Sequence, residues 1–210
     1  MDYLCYRFSE LAPESINPEY LTAEERQAYA KRGMQAMAAR CLLRRELARR
    51  LNCEPQEVLI TVNEHGKPLL HDNEFYFNIS HSADLLCMAF HHEPVGVDVQ
   101  QLRPAAATLR LAERIMCAEQ LSNWCQRGQS VEEFIACWCA AESLVKHAGT
   151  TVWQAREFPF LCHHGRIEPL FSPEASLEPF RGHHQEQEMV DCRYADPYVR
   201  SYAAASVPPS

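Results

Sequence analysis

The stretch that decides the fold is Phe134-Ile-Ala-Cys-Trp-Cys-Ala-Ala-Glu-Ser-Leu-Val-Lys-His-Ala-Gly149. It is predicted to be a helix, because Ser130 and Glu133 form an S-x-x-E capping box at its start and a glycine is a typical C-terminal stop. On a helical wheel of about 100° per residue, Glu142 and Lys146 share an arc with apolar side chains. The other faces are largely apolar as well. We therefore expect a buried helix with a carboxylate and an ammonium group on an inward face.

These two charged side chains need partners, since an unpaired charge in a protein interior costs several kcal/mol. One interpretation is an internal ion pair, because Glu142 and Lys146 are spaced i,i+4 in the favourable order. The other is a charged ligand, with a metal ion on Glu142 and a phosphate on Lys146. The helix alone leaves both interpretations open.

The composition is that of an ordinary globular protein, with 210 residues, 47% hydrophobic and 23% charged. This length allows one large domain or two small ones with a real core. The net charge of −8 argues against non-specific binding of nucleic acid. A substrate that carries phosphates would need a local basic patch.

The sequence predicts a cytoplasmic protein that does not bind a membrane. Residues 1–8 have neither the basic nor the apolar region of a secretory signal, and no apolar run approaches the length of a membrane span. The 10 cysteines are scattered, without a C-x-x-C motif. Cysteines in apolar surroundings, such as Cys41, Cys87, Cys137 and Cys139, are expected to be small, reduced core residues.

A second helical region is predicted from the capping box Thr22-Ala-Glu-Glu25 to about residue 52, with Gly33 as a break. Five arginines against one acid lie between residues 40 and 50, a local reversal of the overall charge. A solvated face with buried aliphatic stems accounts for Arg45 and Arg49. It fits Arg40 less well, because this residue lies within the apolar stripe of the helix, with Arg44 at its edge.

Strands are predicted at residues 3–8, 58–62, 75–80, 85–91 and 95–99, and the short connections between the last three predict an antiparallel meander. Asp98 lies inside an apolar strand, which makes it either a strand-end cap or a ligand for a metal or substrate. After Gly149 further strands are predicted at residues 157–162, 166–170, 189–194 and 199–205, and Pro179 and Gly182 are among the turn residues predicted between them. Helices followed by strands thus occur twice.

This order predicts an α+β protein of two packed halves with a cleft between them. The predicted boundaries are residues 1–103 for the N-terminal lobe and 104–210 for the C-terminal lobe. The tail, from about residue 206 to 210, is expected to fray.

Four segments then occur in a characteristic order: Gly66-Lys-Pro68, Phe77-Asn-Ile-Ser-His-Ser82, Val95-Gly-Val-Asp-Val99 and Trp138-Cys-Ala-Ala-Glu-Ser-Leu-Val-Lys146. Together they resemble the motifs of the 4′-phosphopantetheinyl transferases, specifically the larger, monomeric, Sfp-type group. The match covers roughly residues 36 to 150. The resemblance implies a pseudo-dimer, in which each lobe is a helix packed on a mainly antiparallel sheet and the active-site cleft lies between the lobes.

The resemblance also implies a reaction. Such an enzyme transfers the phosphopantetheine arm of coenzyme A to a serine of an apo acyl or peptidyl carrier protein and releases 3′,5′-ADP. Mg²⁺ bridges the protein and the pyrophosphate. The implied partners are coenzyme A and the carrier protein, and neither nucleic acid nor a membrane is expected.

By the same resemblance, Asp98 and Glu142 are the expected Mg²⁺ ligands, which suits a hard cation that takes one or two carboxylates plus phosphates and water. Glu142, through a water molecule, is also the expected base for the incoming serine. Lys146 is expected to neutralise the pyrophosphate and donate to the leaving group. The expected contacts to coenzyme A are Arg40, Arg44, Lys67, Ser80, His81 and Lys146.

Two positions depart from the family pattern. Ala141 stands where the family has a lysine, and Gln100 stands where many members have a third carboxylate. At an effective dielectric near 20, a unit charge at 4 Å contributes roughly 4 kcal/mol, so a neutral Gln100 weakens metal binding unless a water completes the site. Gln100 therefore enters the predicted metal site only through water.

Three hypotheses remain at this point. The first is the transferase. The second is a catalytically weak homologue that binds coenzyme A or a carrier protein without efficient turnover, suggested by Ala141 and Gln100. The third is an unrelated α+β protein in which Glu142 and Lys146 form a structural ion pair.

Overall fold

The computed structural model describes residues 2–71, 75–101, 108–157, 160–163, 166–169, 178–184 and 187–194. Its helices are α1 (Ala23–Ala30), α2 (Met34–Leu51), α3 (Thr108–Ile115), α4 (Ala118–Gln126) and α5 (Val131–Ala148). Its strands are β1 (Asp2–Arg7), β2 (Ile60–Val62), β3 (Pro68–Leu70), β4 (Tyr76–Ser82), β5 (Leu85–His91), β6 (Gly96–Gln101), β7 (Phe160–His163), β8 (Arg166–Pro169), β9 (Glu178–His184) and β10 (Gln187–Tyr194).

The helix ends follow the capping signals in the sequence. At the start of α1 the Thr22 side chain accepts from the amide of Glu25, and the Glu25 carboxylate accepts from the amide of Thr22, which completes the predicted capping box. Gly33, with φ +94°, separates α1 from α2 as predicted. Ser130 caps α5 by accepting from the amide of Glu133, but the Glu133 carboxylate pairs with Arg127, so the predicted capping box is only half formed. Gly149 ends the helix in the left-handed conformation, with φ 76°.

Two three-stranded sheets carry most of the strands, with orders β1-β5-β4 and β6-β10-β9, and β2-β3 and β7-β8 form two small antiparallel pairs. Every pairing within these sheets is antiparallel. The predicted meander of three consecutive strands is wrong at its third strand. Both edges of β5 are already occupied, by β1 and β4, so β6 enters the other sheet and pairs with β10.

The C-terminal region differs from prediction in a second way. The sequence predicts turns around Pro179 and Gly182, whereas the structure has the strand β9 there. Among the described strands, β9 pairs only with β10 and lies at the sheet edge, where a proline is tolerated. The strand predicted at residues 199–205 and the tail at 206–210 lie outside the described residues.

Three groups of buried apolar side chains hold the described elements together. The first lies between α2 and the inner face of the β1-β5-β4 sheet, the second between β5 and β6, and the third around α5. The cysteines predicted to lie in the core, Cys41, Cys87, Cys137 and Cys139, are buried. A mixed fold of helices and antiparallel sheet is thus confirmed.

Among the described residues, no helix combines the length and the hydropathy needed to cross a membrane.

Candidate active site

The candidate site lies where α5 crosses β6. Gly96 makes this crossing possible, because a Cβ atom there would lie 1.8 Å from the carbonyl oxygen of Ser143 and 2.7 Å from the amide nitrogen of His147. No side chain fits at that distance, so the backbones of strand and helix meet directly. The close approach brings Asp98, two residues further along β6, next to Lys146 on the last turns of α5.

The Asp98 carboxylate is the centre of the site, and its residue is only 1% exposed. Its Oδ1 atom accepts from Lys146 Nζ at 2.5 Å and from Ser80 Oγ at 2.6 Å. Its Oδ2 atom accepts from Gln100 Nε2 at 2.9 Å. Lys146 Nζ also donates to Ser80 Oγ at 3.1 Å. Residues from β4, β6 and α5 thus converge on one buried carboxylate.

The ion pair at this site joins Lys146 to Asp98. The i,i+4 spacing on the helix also allowed a pair between Lys146 and Glu142, which the structure does not form. Burial by itself would lower the pKa of Lys146, but the charge and hydrogen bond of Asp98, with a further contribution from Glu142, outweigh it, and the pKa is raised. Lys146 is therefore held in its charged form. Its side chain is 27% exposed.

Glu142 has a different environment. Its carboxylate has no hydrogen bond or ion pair with any other described residue, although it lies within electrostatic range of Asp98 and Lys146. Burial raises the pKa of Glu142, Lys146 lowers it and Asp98 raises it, with a net increase. A carboxylate with a raised pKa takes up a proton more readily, as expected of a general base.

A ladder of side chains joins β4 to β6. Asn78 Oδ1 accepts from the amide of Val97 at 2.9 Å, Ser80 Oγ from the amide of Val99 at 3.4 Å, and Ser82 Oγ from the amide of Gln101 at 3.1 Å. Each bond spans 19 residues, so the two strands run in the same direction. Alternate amides of β6 thus face β4, where side-chain oxygens take the place of backbone acceptors.

Asn78 and Ser82 were missed as site residues in the sequence. Their signal was present, since residues 78, 80 and 82 are polar and share one face of a strand. What the sequence did not show is that this face meets the backbone of another strand.

His81 and Lys67, two further predicted coenzyme A contacts, lie on β4 and in the turn before β3. His81 is exposed on β4, with its ring edge-on to Phe8 at 6.2 Å between centroids. Lys67 Nζ donates to the backbone carbonyls of Val95 at 3.4 Å, of Lys146 and of His147 at 3.3 Å. It therefore contacts the end of α5.

Arg40 and Arg44 lie in a separate cluster around Glu25. Both guanidinium groups donate to the Glu25 carboxylate, Arg44 through Nε at 2.5 Å. Arg44 Nη1 also donates to the carbonyls of Pro55 at 2.5 Å and Val58 at 3.1 Å. These bonds tie α1 to α2 and explain the buried arginines. A contact of either arginine with coenzyme A stays a prediction.

Asp98 and Glu142 are the side chains at the crossing that could hold a magnesium ion. Asp98 and Glu142 are carboxylates in mutual electrostatic range, and the hard cation prefers such oxygen ligands. Gln100 contributes an amide hydrogen bond to Asp98 in place of a third negative charge. Within the described residues no group of three or more histidine, cysteine, aspartate or glutamate side chains forms a larger metal cluster.

Two family models match this chain, and together they cover most of it. Residues 9–93 match the model described as 4′-phosphopantetheinyl transferase, N-terminal, and residues 94–205 match the 4′-phosphopantetheinyl transferase superfamily. The second match alone spans more than half of the 210 residues. The chain belongs to the 4′-phosphopantetheinyl transferase superfamily.

The chain is also similar to individual 4′-phosphopantetheinyl transferases, one of which is named Sfp. It is 28% identical over 138 residues to the 4′-phosphopantetheinyl transferase gsp of Aneurinibacillus migulanus, with 64% of this chain and 56% of the relative covered. It is 25% identical over 137 residues to the 4′-phosphopantetheinyl transferase Sfp of Bacillus subtilis strain 168, covering 64% and 60%. A putative 4′-phosphopantetheinyl transferase of Synechocystis is 30% identical over 144 residues, covering 64% and 57%.

The chain thus spans less than two thirds of the length of these relatives. The family membership removes the hypothesis of an unrelated α+β protein.

Proposed function

We propose that this protein transfers the 4′-phosphopantetheine arm of coenzyme A to a serine of an apo acyl or peptidyl carrier protein, with Mg²⁺, and releases 3′,5′-ADP. The proposal rests on the hydrogen bonds of 2.5–3.1 Å that join the side chains of Asp98, Lys146 and Ser80. Glu142 lies one turn before Lys146 on α5. Family membership supplies the class of reaction.

In the proposed reaction the serine hydroxyl oxygen forms a bond to the phosphorus that carries the pantetheine arm. The bond from that phosphorus to the leaving 3′,5′-ADP oxygen breaks. Glu142 takes the hydroxyl proton through a water molecule, which suits a carboxylate whose pKa is raised. The carrier protein gains the arm, and the nucleotide leaves with its negative charge.

Lys146 stabilises the charge on the pyrophosphate and donates to the leaving oxygen. An ammonium group has three N–H donors. Asp98 and Ser80 accept from two of them, and no other described residue accepts from Nζ. The third donor and the partial exposure of the side chain suit a phosphate oxygen.

Asp98 and Glu142 would hold the magnesium ion, with Gln100 contributing through a water molecule. The ion would supply charge neutralisation of the pyrophosphate and polarisation of the attacked phosphorus. Ser80 is hydrogen-bonded to both Asp98 and Lys146, which supports its proposed contact to the same phosphates.

The remaining parts of the proposal concern binding and organisation. His81, Arg40 and Arg44 are proposed contacts to coenzyme A. The two lobes, at residues 1–103 and 104–210, are proposed to form a pseudo-dimer with the site in the cleft. The protein is proposed to act as a monomer in the cytoplasm.

The proposal is tested by the intact mass of an apo acyl carrier protein after incubation with coenzyme A and this protein. We expect a gain of one phosphopantetheine arm with Mg²⁺ and none with EDTA. Equimolar 3′,5′-ADP should appear in the same reaction. A carrier protein whose acceptor serine is replaced by alanine is the matched control and should gain no mass.

A second candidate function is favoured by Gln100, whose amide donates to Asp98 where many family members have a carboxylate. One fewer negative charge weakens the metal site. In that case the protein binds coenzyme A or a carrier protein without efficient turnover. Binding of coenzyme A in calorimetry, with no mass gain on several carrier proteins, would favour this candidate and contradict the transferase.

A further inference from the structure

A polar turn between β2 and β3 contacts the end of α5. Asn63 Oδ1 accepts from the amides of His65 at 3.0 Å and Lys67 at 2.8 Å, and this Asx-type geometry fixes the turn. Asn63 Nδ2 then donates to the carbonyl of Gly149 at 2.9 Å. The turn therefore binds the residue that ends the helix.

Lys67 makes the second contact from the same turn. The last four carbonyl groups of a helix have no partner within the helix, and a cation is favoured at this negative end. Lys67 Nζ donates to two of these carbonyls, those of Lys146 and His147, and to the carbonyl of Val95 just before β6. One ammonium group thus links the end of α5 to the start of β6.

We propose that Asn63 and Lys67 are positioning residues, which hold the last turn of α5 against β6 and so fix Lys146 beside Asp98. The proposal rests on the proposed function for its catalytic readout. It gives Lys67 a role other than the direct phosphate contact predicted from the sequence. All three N–H donors of an ammonium group are matched here by three carbonyls.

The position of Lys146 explains why these contacts of Asn63 and Lys67 with the end of α5 are important. The direct contact of α5 with β6 is at Gly96, against Ser143 and His147. The Lys146 side chain extends from the final helical turn, where helices fray most readily. A displacement of about 1 Å in a reacting group can reduce a rate by about 10²-fold. Holding the carbonyl of Lys146 itself limits such displacement.

The test is steady-state kinetics of the full chain, with coenzyme A varied against an apo carrier protein at saturating Mg²⁺. For Lys67→Met we expect kcat to fall on the order of 10- to 100-fold, since Lys146 is displaced. We expect KM for coenzyme A to stay within about twofold, because no phosphate contact is removed. Lys67→Arg should restore most of kcat, since a guanidinium group also donates to carbonyls.

Lys31→Met is the matched control, because Lys31 is an exposed lysine at the end of α1. It should leave kcat and KM unchanged. A rise in KM for Lys67→Met with kcat unchanged would identify Lys67 as a phosphate contact and overturn the proposal. Unchanged kcat and KM would overturn it as well.

Hydrogen exchange gives a readout that needs no activity. In Asn63→Ala we expect faster amide exchange in a peptide covering residues 144–150, and unchanged exchange in α2. Equal exchange in wild type and variant would overturn the proposed positioning role, even if Lys67→Met failed to fold. If the wild type is inactive but Asn63→Ala still exchanges faster in residues 144–150, the proposed function is contradicted. The role of Asn63 in holding the end of α5 is then supported.

Discussion

At the scale of single residues, Asp98 is a buried carboxylate whose only cationic partner among the described residues is Lys146. Removing one member of a buried ion pair leaves an uncompensated charge, and this typically costs about 3–5 kcal/mol. For Lys146→Met we therefore expect the free energy of unfolding in urea to fall by about that amount, or somewhat less because the side chain is 27% exposed.

The Lys146 prediction is checked by a double-mutant cycle with Asp98→Asn. The double variant should lose less than the sum of the two single losses, because both remove the same interaction. Lys31→Met, on an exposed lysine, should leave the free energy of unfolding unchanged. Additive losses at Lys146 and Asp98 would contradict the pairing.

Glu25 gives a prediction on pH. Burial raises its pKa, but the hydrogen bond from Arg44 and the charge of Arg40 outweigh burial, so the pKa is lowered in the folded state. Stability from this group is fully present above the unfolded pKa of about 4.3. It is lost as the pH falls through the lower, folded pKa. Acid should therefore weaken the junction of α1 and α2.

We expect Glu25→Gln to lower the melting temperature at pH 7 and to flatten its decline below about pH 4.5. Melting curves of wild type and variant between pH 7 and 3 measure this. Glu119→Gln, on an exposed glutamate of α4, should follow the wild-type curve. Parallel curves for Glu25→Gln and wild type would contradict a depressed pKa.

The sequence singles out Asp98, Glu142 and Lys146, because each is a charged residue in an otherwise apolar segment. It does not show how these three residues pair. The partner of Lys146 depends instead on where α5 crosses β6, which is fixed by Gly96 and the tertiary packing. The spacing of Glu142 and Lys146 could not distinguish the two pairings.

At the scale of elements, the ladder from β4 to β6 makes its own prediction. Asn78 is 3% exposed and accepts from the amide of Val97 at 2.9 Å. Asn78→Ala leaves that buried amide without a partner, which costs about 1–3 kcal/mol. We expect a loss of this size in urea unfolding.

Ser82→Ala is the comparison variant, because Ser82 makes the equivalent bond at the less buried end of the ladder. Its loss should be smaller, since water can replace a partly exposed acceptor. If Asn78→Ala unfolds at the wild-type urea concentration, the ladder does not stabilise the junction of the two strands.

Element boundaries followed the sequence closely wherever local chemistry sets them. The caps at Thr22, Ser130 and Gly149 fixed α1 and α5 because capping is a local interaction. The assignment of β6 to a sheet failed, because pairing depends on which strand edges are free, and β5 has none. The edge strand β9 was missed because Pro179 and Gly182 carry turn signals that an edge strand tolerates.

At the scale of the whole molecule, β6 connects the parts of the described structure. It pairs with β10 of the C-terminal region, accepts the side-chain ladder of β4 on its other edge, and packs against α5. Asp98, at its centre, therefore contacts N-terminal and C-terminal elements at once. The α+β class was predictable from the order of elements, and the pseudo-dimeric division into lobes stays a proposal.

We propose that the crossing of α5 and β6 forms a phosphopantetheine transfer site in which Glu142 acts on the incoming serine. The initial rate of mass gain on an apo carrier protein, at saturating coenzyme A and Mg²⁺, tests this role of Glu142. It compares wild type, Glu142→Gln and Glu119→Gln. The last variant makes the same chemical change on the surface of α4.

We expect Glu142→Gln to lose at least about 10²-fold in rate, as is typical when a general base or a charged metal ligand is removed. Glu119→Gln should keep the wild-type rate, and both variants should unfold cooperatively. A Glu142→Gln protein that is folded and transfers the arm at the wild-type rate would contradict this role of Glu142.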